Sequence, residues 1–175
     1  MNVAVSVDRD VAARIDAALL EKPDGILEMV AEKCEASLWQ VFQRLAEGQV
    51  VAIAGDKFEE LWAGLTTWGT VLFIVHTEDI VLECEGALPP GTSSHGYFNI
   101  HGDSPIGGHI KASNCTRIVF VDRAFHGRRS CSAQFLNAVG NAMFKVFVRR
   151  DSQRELLKDQ LGRFEATREI FRSQV

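Results

Sequence analysis

All five histidines of this chain fall between residues 76 and 126: His76, His95, His101, His109 and His126. Three of them lie in one glycine-rich stretch, HGYFNIHGDSPIGGHIKAS, residues 95–113. Imidazole titrates near neutral pH and is a common metal ligand. The clustering therefore raises a haem site, a zinc site, a pH switch, or a grouping with no chemistry at all. Along an extended strand, successive side chains point to opposite faces. His109 and Lys111 then share a face of GHIKAS, and Leu72, Ile74 and His76 share a face of TVLFIVH. Two strands of one sheet could thus offer two imidazoles beside apolar walls, with cations nearby. Haem needs those features: apolar contact for the porphyrin, an axial imidazole for iron, and cations for the propionates. Gly107 and Gly108, just before His109, leave room for a flat macrocycle to approach the backbone.

Each competing reading has its own requirement. Zinc held by His95, His101 and His109 would need three imidazoles converging at about 2.0–2.1 Å, which a strand–loop–strand does not impose. A pH-sensing cluster is allowed by the titration range alone. Histidines on strands and in loops are ordinarily solvated or hydrogen-bonded, so spacing by itself leaves these readings open. Four cysteines (Cys34, Cys84, Cys115, Cys131) form no C-x-x-C pair and read as reduced packing residues, with no ligand spacing for zinc. Ser93, Ser94 and His95 sit in a turn-rich stretch unsuited to a catalytic triad. The chain carries no G-x-S-x-G elbow, P-loop or G-x-G-x-x-G after a strand. Asp122, Arg123, Arg128 and Arg129 read as a solvated strand end and turn, or as propionate contacts.

The elements that must position these residues begin with helices. Asp8 is placed to cap a helix running to about Lys22, broken by EKPDG at residues 21–25. Two short helices follow. Ile26, Met29, Val30 and Cys34 form one stripe, Leu38, Val41, Phe42 and Leu45 another, and Ser37 is a candidate N-cap. The pair resembles a helix-turn-helix. Its reading helix, residues 37–45, offers only Gln40, Gln43 and Arg44, while Glu28, Glu32 and Glu35 crowd its neighbour. With a net charge of −4 besides, the pair reads as a packing unit and nucleic acid is not an expected partner.

VVAIAG (50–55) is a strand candidate and residues 56–68 a helix capped by Asp56. From Gly69 the pattern becomes β. Strands are expected at 70–76 and 79–85 around a Thr77-Glu78 turn, at 96–102 and 108–113, and at 116–123, 130–137 and 142–149. GALPPGTSSHG (86–96) reads as a loop because of its prolines, and residues 139–141 as a tight turn. In the last strand Phe144, Val146 and Val148 face one way, Lys145, Phe147 and Arg149 the other. A final helix is expected from Asp151, with Leu156, Leu157, Gln160, Leu161 and Phe164 inward.

The expected architecture is one α+β domain over residues 1–175 with a mostly antiparallel sheet. An N-terminal helical part (about 8–47) and a C-terminal helix (151–173) flank a sheet core (about 50–150). No apolar run approaches the ~20 residues of a membrane span, so no membrane insertion is expected. The start, MNVAVSVDRDVAAR, lacks the pattern of a signal peptide, which favours a cytoplasmic location.

Several stretches taken together carry a further signal: KPDGILEMVAE, GDKFEELW, WGTVLFIVHTEDIVLECEGALPPG, HGYFNIHGDSPIGGHIKASNCTRIVFVDRAF and AMFKVFVRRDSQRELLKDQL. They resemble the cytosolic haem-utilisation carriers of the HutX/ChuX family over nearly the whole length. The resemblance implies an iron- and haem-binding protein, usually a homodimer, with a fold like one half of the larger HemS-type haem proteins. The haem-associated histidines of the family, in its VHT and GHIK strands, correspond to His76 and His109, both intact here. Lys111, on the same face as His109, is then a candidate haem contact. The resemblance is compatible with both histidines on one iron, and with one binding while the other orients. A departure, Ala46 where the family suggests proline, lies away from these residues. The function implied is to carry or buffer haem and hand it to an accepting or haem-degrading protein. Two alternatives stand beside it. One is a haem-degrading enzyme in which Arg123 or Arg129 helps steer oxygen chemistry. The other is a haem-responsive helix-turn-helix regulator, weakened by its nearly uncharged reading helix.

Overall fold

In a computed structural model describing residues 3–174, with side chains from residue 9 onward, the chain starts as helix α1 (Val3–Glu21). Asp8 lies inside this helix rather than at its start, and its side chain lies outside the described residues. Val11, Ile15 and Ala18 recur at helical spacing and form the buried stripe of α1. Pro23 and Gly25 separate α1 from α2 (Leu27–Lys33). The buried stripe of α2 is Leu27, Val30 and Ala31 followed by Cys34, whereas Met29 is 61% exposed. The helix is thus rotated from the expected stripe, because its first turn docks through Leu27. Ser37 does cap α3 (Leu38–Phe42), in a reciprocal capping box with Gln40. Leu38, Val41 and Phe42 of α3 are buried, as a packing unit requires.

Strands β1 (Val50–Ala54), β2 (Thr70–His76), β3 (Val81–Ala87), β7 (Arg117–Phe125), β8 (Arg128–Leu136) and β9 (Ala142–Phe147) form one antiparallel sheet, ordered β1-β7-β8-β9-β2-β3. A separate three-stranded sheet contains β4 (Gly91–Ser94), β5 (Tyr97–Ile100) and β6 (Gly108–Ile110). Helix α4 (Phe58–Leu65) follows β1, and α5 (Lys158–Arg172) closes the chain. Alternation divides the large sheet into two faces. Val71, Ile118, Phe120, Ala133, Phe135, Phe144 and Val146 pack with Phe58 and Trp62 of α4, Phe98 and Ile100 of β5, and Phe164 of α5. Val119, Val121 and Leu136 point the other way, onto α1–α3.

The stretch 86–96 is not all loop, as its prolines suggested. β3 runs on to Ala87, and residues 91–94 form β4, paired with β5. Pro89 and Pro90 end the pairing with β2, but the residues after them are free to join a new ladder. Gly91 permits this, since a Cβ there would meet the Phe98 ring at 2.1 Å. The β2–β3 turn takes four residues, 77–80, rather than two. Thr77 N donates to Ile80 O at 2.9 Å, and the Thr77 hydroxyl accepts from the backbone of Asp79 and Ile80. Asp56 lies in a 3-10 turn ahead of α4, whose N-cap is Lys57, so it is not the cap. Asp151 caps a turn instead of α5: its Oδ1 accepts from the backbone of Gln153 and Glu155. The helix starts seven residues later, leaving Leu156 and Leu157 ahead of it, while Gln160 and Phe164 are buried.

Candidate functional site

On the helix-facing side of the large sheet, α1–α3 cover β1, β7 and β8 and leave the face of β9, β2 and β3 less covered. A cavity of about 440 Å³ opens there. Strand alternation chooses its lining. β2 contributes Leu72, Ile74 and His76, and β9 contributes Lys145 and Phe147. The register places Ile74 opposite Lys145 and Leu72 opposite Phe147. Ser132 and Gln134 of β8 and Arg123 of β7 continue the floor, while Gly25, Ile26, Leu27 and Glu28 form the roof. The expected shared face of Leu72, Ile74 and His76 is therefore the wall of a cavity, in the size range of small-molecule sites.

The floor is polar and largely buried. Lys145 is 5% exposed and donates to the Glu28 carboxylate, which satisfies an ammonium otherwise costly to bury. The second oxygen of Glu28 stands 3.9 Å from Nδ1 of His76, too far for a hydrogen bond. His76 keeps 23% of its side chain exposed at the cavity mouth. Arg123 is buried and donates to the carbonyls of Gly25 (3.0 Å) and Pro23 (2.5 Å), fastening the roof to the sheet. Burial draws its guanidinium below the ordinary range, while the charges of Asp24 and Glu28 oppose that shift. Two buried atoms here, Arg123 Nε and Gln134 Oε1, lack a protein hydrogen-bond partner.

The charged stretch around Arg123 divides in two. Arg123 alone of Asp122, Arg123, Arg128 and Arg129 lines the cavity. Arg129 donates to both Asp122 oxygens (2.9 and 2.7 Å) and to Glu165 (2.8 Å), a network that ties the sheet to α5. Lys145 and Glu28 are among the cavity residues that sequence reasoning missed. Alternation along β9 puts Lys145 on one face with Phe147 and Arg149. Only the β2–β9 register reveals that this face meets the His76 face.

His109 stands elsewhere. The expectation of both imidazoles on one sheet is not met: His76 is on the large sheet and His109 on the small one. The small sheet packs through Phe98 and Ile100 into the core on the other face of the large sheet. His109 is exposed, with its Nδ1 2.6 Å from Oδ1 of Asn99, its cross-strand neighbour. Around it lie the rings of His101 (5.6 Å between centroids) and Tyr97 (6.1 Å). Lys111 is exposed, its Nζ 5.6 Å from the Tyr97 ring. Gly108 has φ 138°, and a Cβ there would meet nothing within 4 Å, so the backbone before His109 is open. His95 and His126 occupy exposed positive-φ turn positions. Among the described residues no group of three or more His, Cys, Asp or Glu gathers as a metal site. All four cysteines are free thiols.

Comparison with known proteins agrees with this architecture. Residues 51–167 match the family model described as haem utilisation ChuX/HutX. The intracellular heme transport protein HutX of Vibrio cholerae is 31% identical over 152 residues, covering 86% of this chain and 79% of that protein. A solved structure from Agrobacterium tumefaciens is 52% identical, covers 98% of both chains and has a TM-score of 0.92. The heme-binding protein ChuX is 40% identical, with a TM-score of 0.81 over 89% of this chain and 97% of that one. The heme-degrading enzyme ChuS of Escherichia coli O157:H7 shares the fold only: 10% identity and a TM-score of 0.65, over 95% of this chain and 48% of that one. The expected likeness to one half of a larger haem protein thus holds for the fold. No helix among the described residues is long and apolar enough to cross a membrane.

Proposed function

The chain belongs to the ChuX/HutX haem-utilisation family, and we propose that it binds haem in the cytoplasm and passes it to an accepting protein. The observation that carries this reading is the cavity itself. Leu72, Ile74, Val81 and Phe147 offer the porphyrin apolar contact, His76 brings an imidazole to the mouth, and Arg123 and Arg149 bring cations. Haem is cargo here. An iron held by imidazole at a partly open mouth leaves few contacts to break on handover.

His76 and His109 are the proposed iron ligands, with Lys111 as a haem contact. One chain holds them on different sheets. A homodimer is the arrangement in which His76 of one protomer and His109 of the other serve one iron. Strand β3 supports such a pairing, since it is an edge of the large sheet on which Val81 and Leu82 are 54% and 56% exposed. Ile80, just before it, is 53% exposed. Open apolar edges of this kind are templates for another chain.

Titration of the purified chain with haemin tests the reading. A saturable Soret shift, weakened in His76→Ala, is expected; no shift would overturn haem binding. Mixing His76→Ala with His109→Ala protomers tests the shared site. About a quarter of the sites, those built from two intact residues, should regain the wild-type spectrum after random reassortment of subunits. No recovery would overturn ligation across a dimer. Incubating the loaded protein with a reductant and oxygen should leave the Soret band intact when catalase is present. Its loss with release of a bilin would replace the carrier by an enzyme.

A further inference from the structure

We propose that Asn99 is a positioning residue that sets the tautomer of His109, leaving Nε2 as the free lone pair. For the identity of the incoming iron this rests on the haem reading above. The tautomer itself is a property of the unloaded chain.

The orientation of the Asn99 amide is decided by its surroundings. Nδ2 lies within hydrogen-bond distance of four oxygens: Thr92 O (3.1 Å), Ser94 O (3.2 Å), Ser94 Oγ (2.9 Å) and Tyr97 O (3.0 Å). An amide oxygen in that position would face three carbonyl oxygens with only the Ser94 hydroxyl able to donate to it, so the NH₂ group belongs there. Oδ1 is consequently the atom 2.6 Å from His109 Nδ1. An amide oxygen can only accept, so Nδ1 must carry the hydrogen. In the neutral ring the lone pair is then on Nε2. This reverses the tautomer that free histidine favours in water.

The rest of the local structure holds the ring in place. His109 is the cross-strand partner of Asn99 in the β5–β6 ladder, so the contact follows from the register. Tyr97 and His101 meet the ring edge-on, at interplanar angles of 72° and 73°. His76 is different: its nearest acidic neighbour, Glu28, is 3.9 Å away and imposes no tautomer. The two histidines are therefore unequal before any ligand arrives. His109 is already set to donate through Nε2, the arrangement that outer hydrogen bonds impose on metal-binding imidazoles generally.

The test is a two-bond ¹H–¹⁵N correlation spectrum of the haem-free, ¹⁵N-labelled chain above the titration range of its histidines. The His109 signals are assigned by their loss in His109→Gln. A protonated Nδ1 with an unprotonated Nε2 is expected at His109; the opposite pattern overturns the proposal. In Asn99→Leu the pattern should revert to Nε2–H, with His76 unchanged. Persistence of Nδ1–H would overturn Asn99 as the cause. Should Asn99→Leu unfold the β4–β5 turn, Asn99→Ala serves instead, because it removes the acceptor for Nδ1 without adding bulk. Reversion to Nε2–H supports the proposal and persistence of Nδ1–H overturns it. Haemin titration of folded Asn99 variants should show a ~10–100-fold loss of affinity for Asn99→Leu. An unchanged haemin titration in His109→Gln overturns His109 as a ligand, while the spectrum of the unloaded chain decides the tautomer separately.

Discussion

Lys145, in the middle of β9, donates to Glu28 in the first turn of α2, across a sequence separation of 117 residues. This ion pair joins the roof of the cavity to its floor. Its acidic member also faces His76. The cavity is thus held in shape by the same carboxylate that gives the imidazole its nearest negative charge.

Breaking that pair should cost more than removing it. Glu28→Gln leaves a buried ammonium without a counter-charge and should destabilise the fold by about 3 kcal/mol, the lower end for broken buried pairs. A quarter of the Glu28 side chain is exposed, which keeps the effect at that end. The double change Glu28→Gln, Lys145→Met should recover most of the loss. Urea unfolding of the three chains measures both; a double variant less stable than Glu28→Gln would contradict the assignment.

His76→Ala should separate binding from folding. The side chain is partly solvated and completes no buried hydrogen bond, so stability should change by about 0.5 kcal/mol or less. On the proposed ligation haemin affinity should fall at least tenfold, since an axial ligand is worth more than the outer contacts that cost about 10–100-fold. Thermal unfolding of the unloaded protein and a haemin titration check the two halves.

Acid should loosen the junction between the large sheet and α5. Hydrogen bonds from Arg129 hold the Asp122 carboxyl below its usual range, with partial burial opposing them and Arg168 adding attraction. The folded value is depressed, so the stabilisation is complete above the unfolded value of about 3.9. It is lost as pH falls through the lower folded value. Asp122→Asn should therefore be less stable than the parent at pH 7, with a shallower decline between pH 4 and pH 2. Urea midpoints across that range provide the measurement.

The thiols should differ in reactivity. Burial pushes Cys131 up to about 12 and Cys115 up to about 11, so neither supplies thiolate near neutral pH. Cys84 on β3 is half-buried. Brief iodoacetamide treatment of the folded chain, followed by peptide mass analysis, should find Cys84 modified ahead of Cys115 and Cys131.

Much of this molecule was legible locally. The alternation of TVLFIVH placed Leu72, Ile74 and His76 on one face, and Ser37 announced the start of α3 by its own chemistry. Residues whose role depends on distant partners were not legible in the same way. Glu28 and Lys145 became a pair only through tertiary packing, and Asn99 reached His109 only through the β5–β6 register. The division into two sheets was hidden for a related reason. Residues 91–94 have an unremarkable strand pattern, and their pairing depends on the space that Gly91 leaves for Phe98. The late start of α5 follows from Asp151, whose side chain satisfies a turn before the amphipathic pattern becomes helical.

Arg123 grips the roof through the main-chain carbonyls of Pro23 and Gly25, not through any side chain. Every amino acid supplies such a carbonyl. The chain at positions 23 and 25 can therefore change its side chains without losing this grip, whereas the second fastening, Glu28 to Lys145, fixes a side chain and with it one part of the lining.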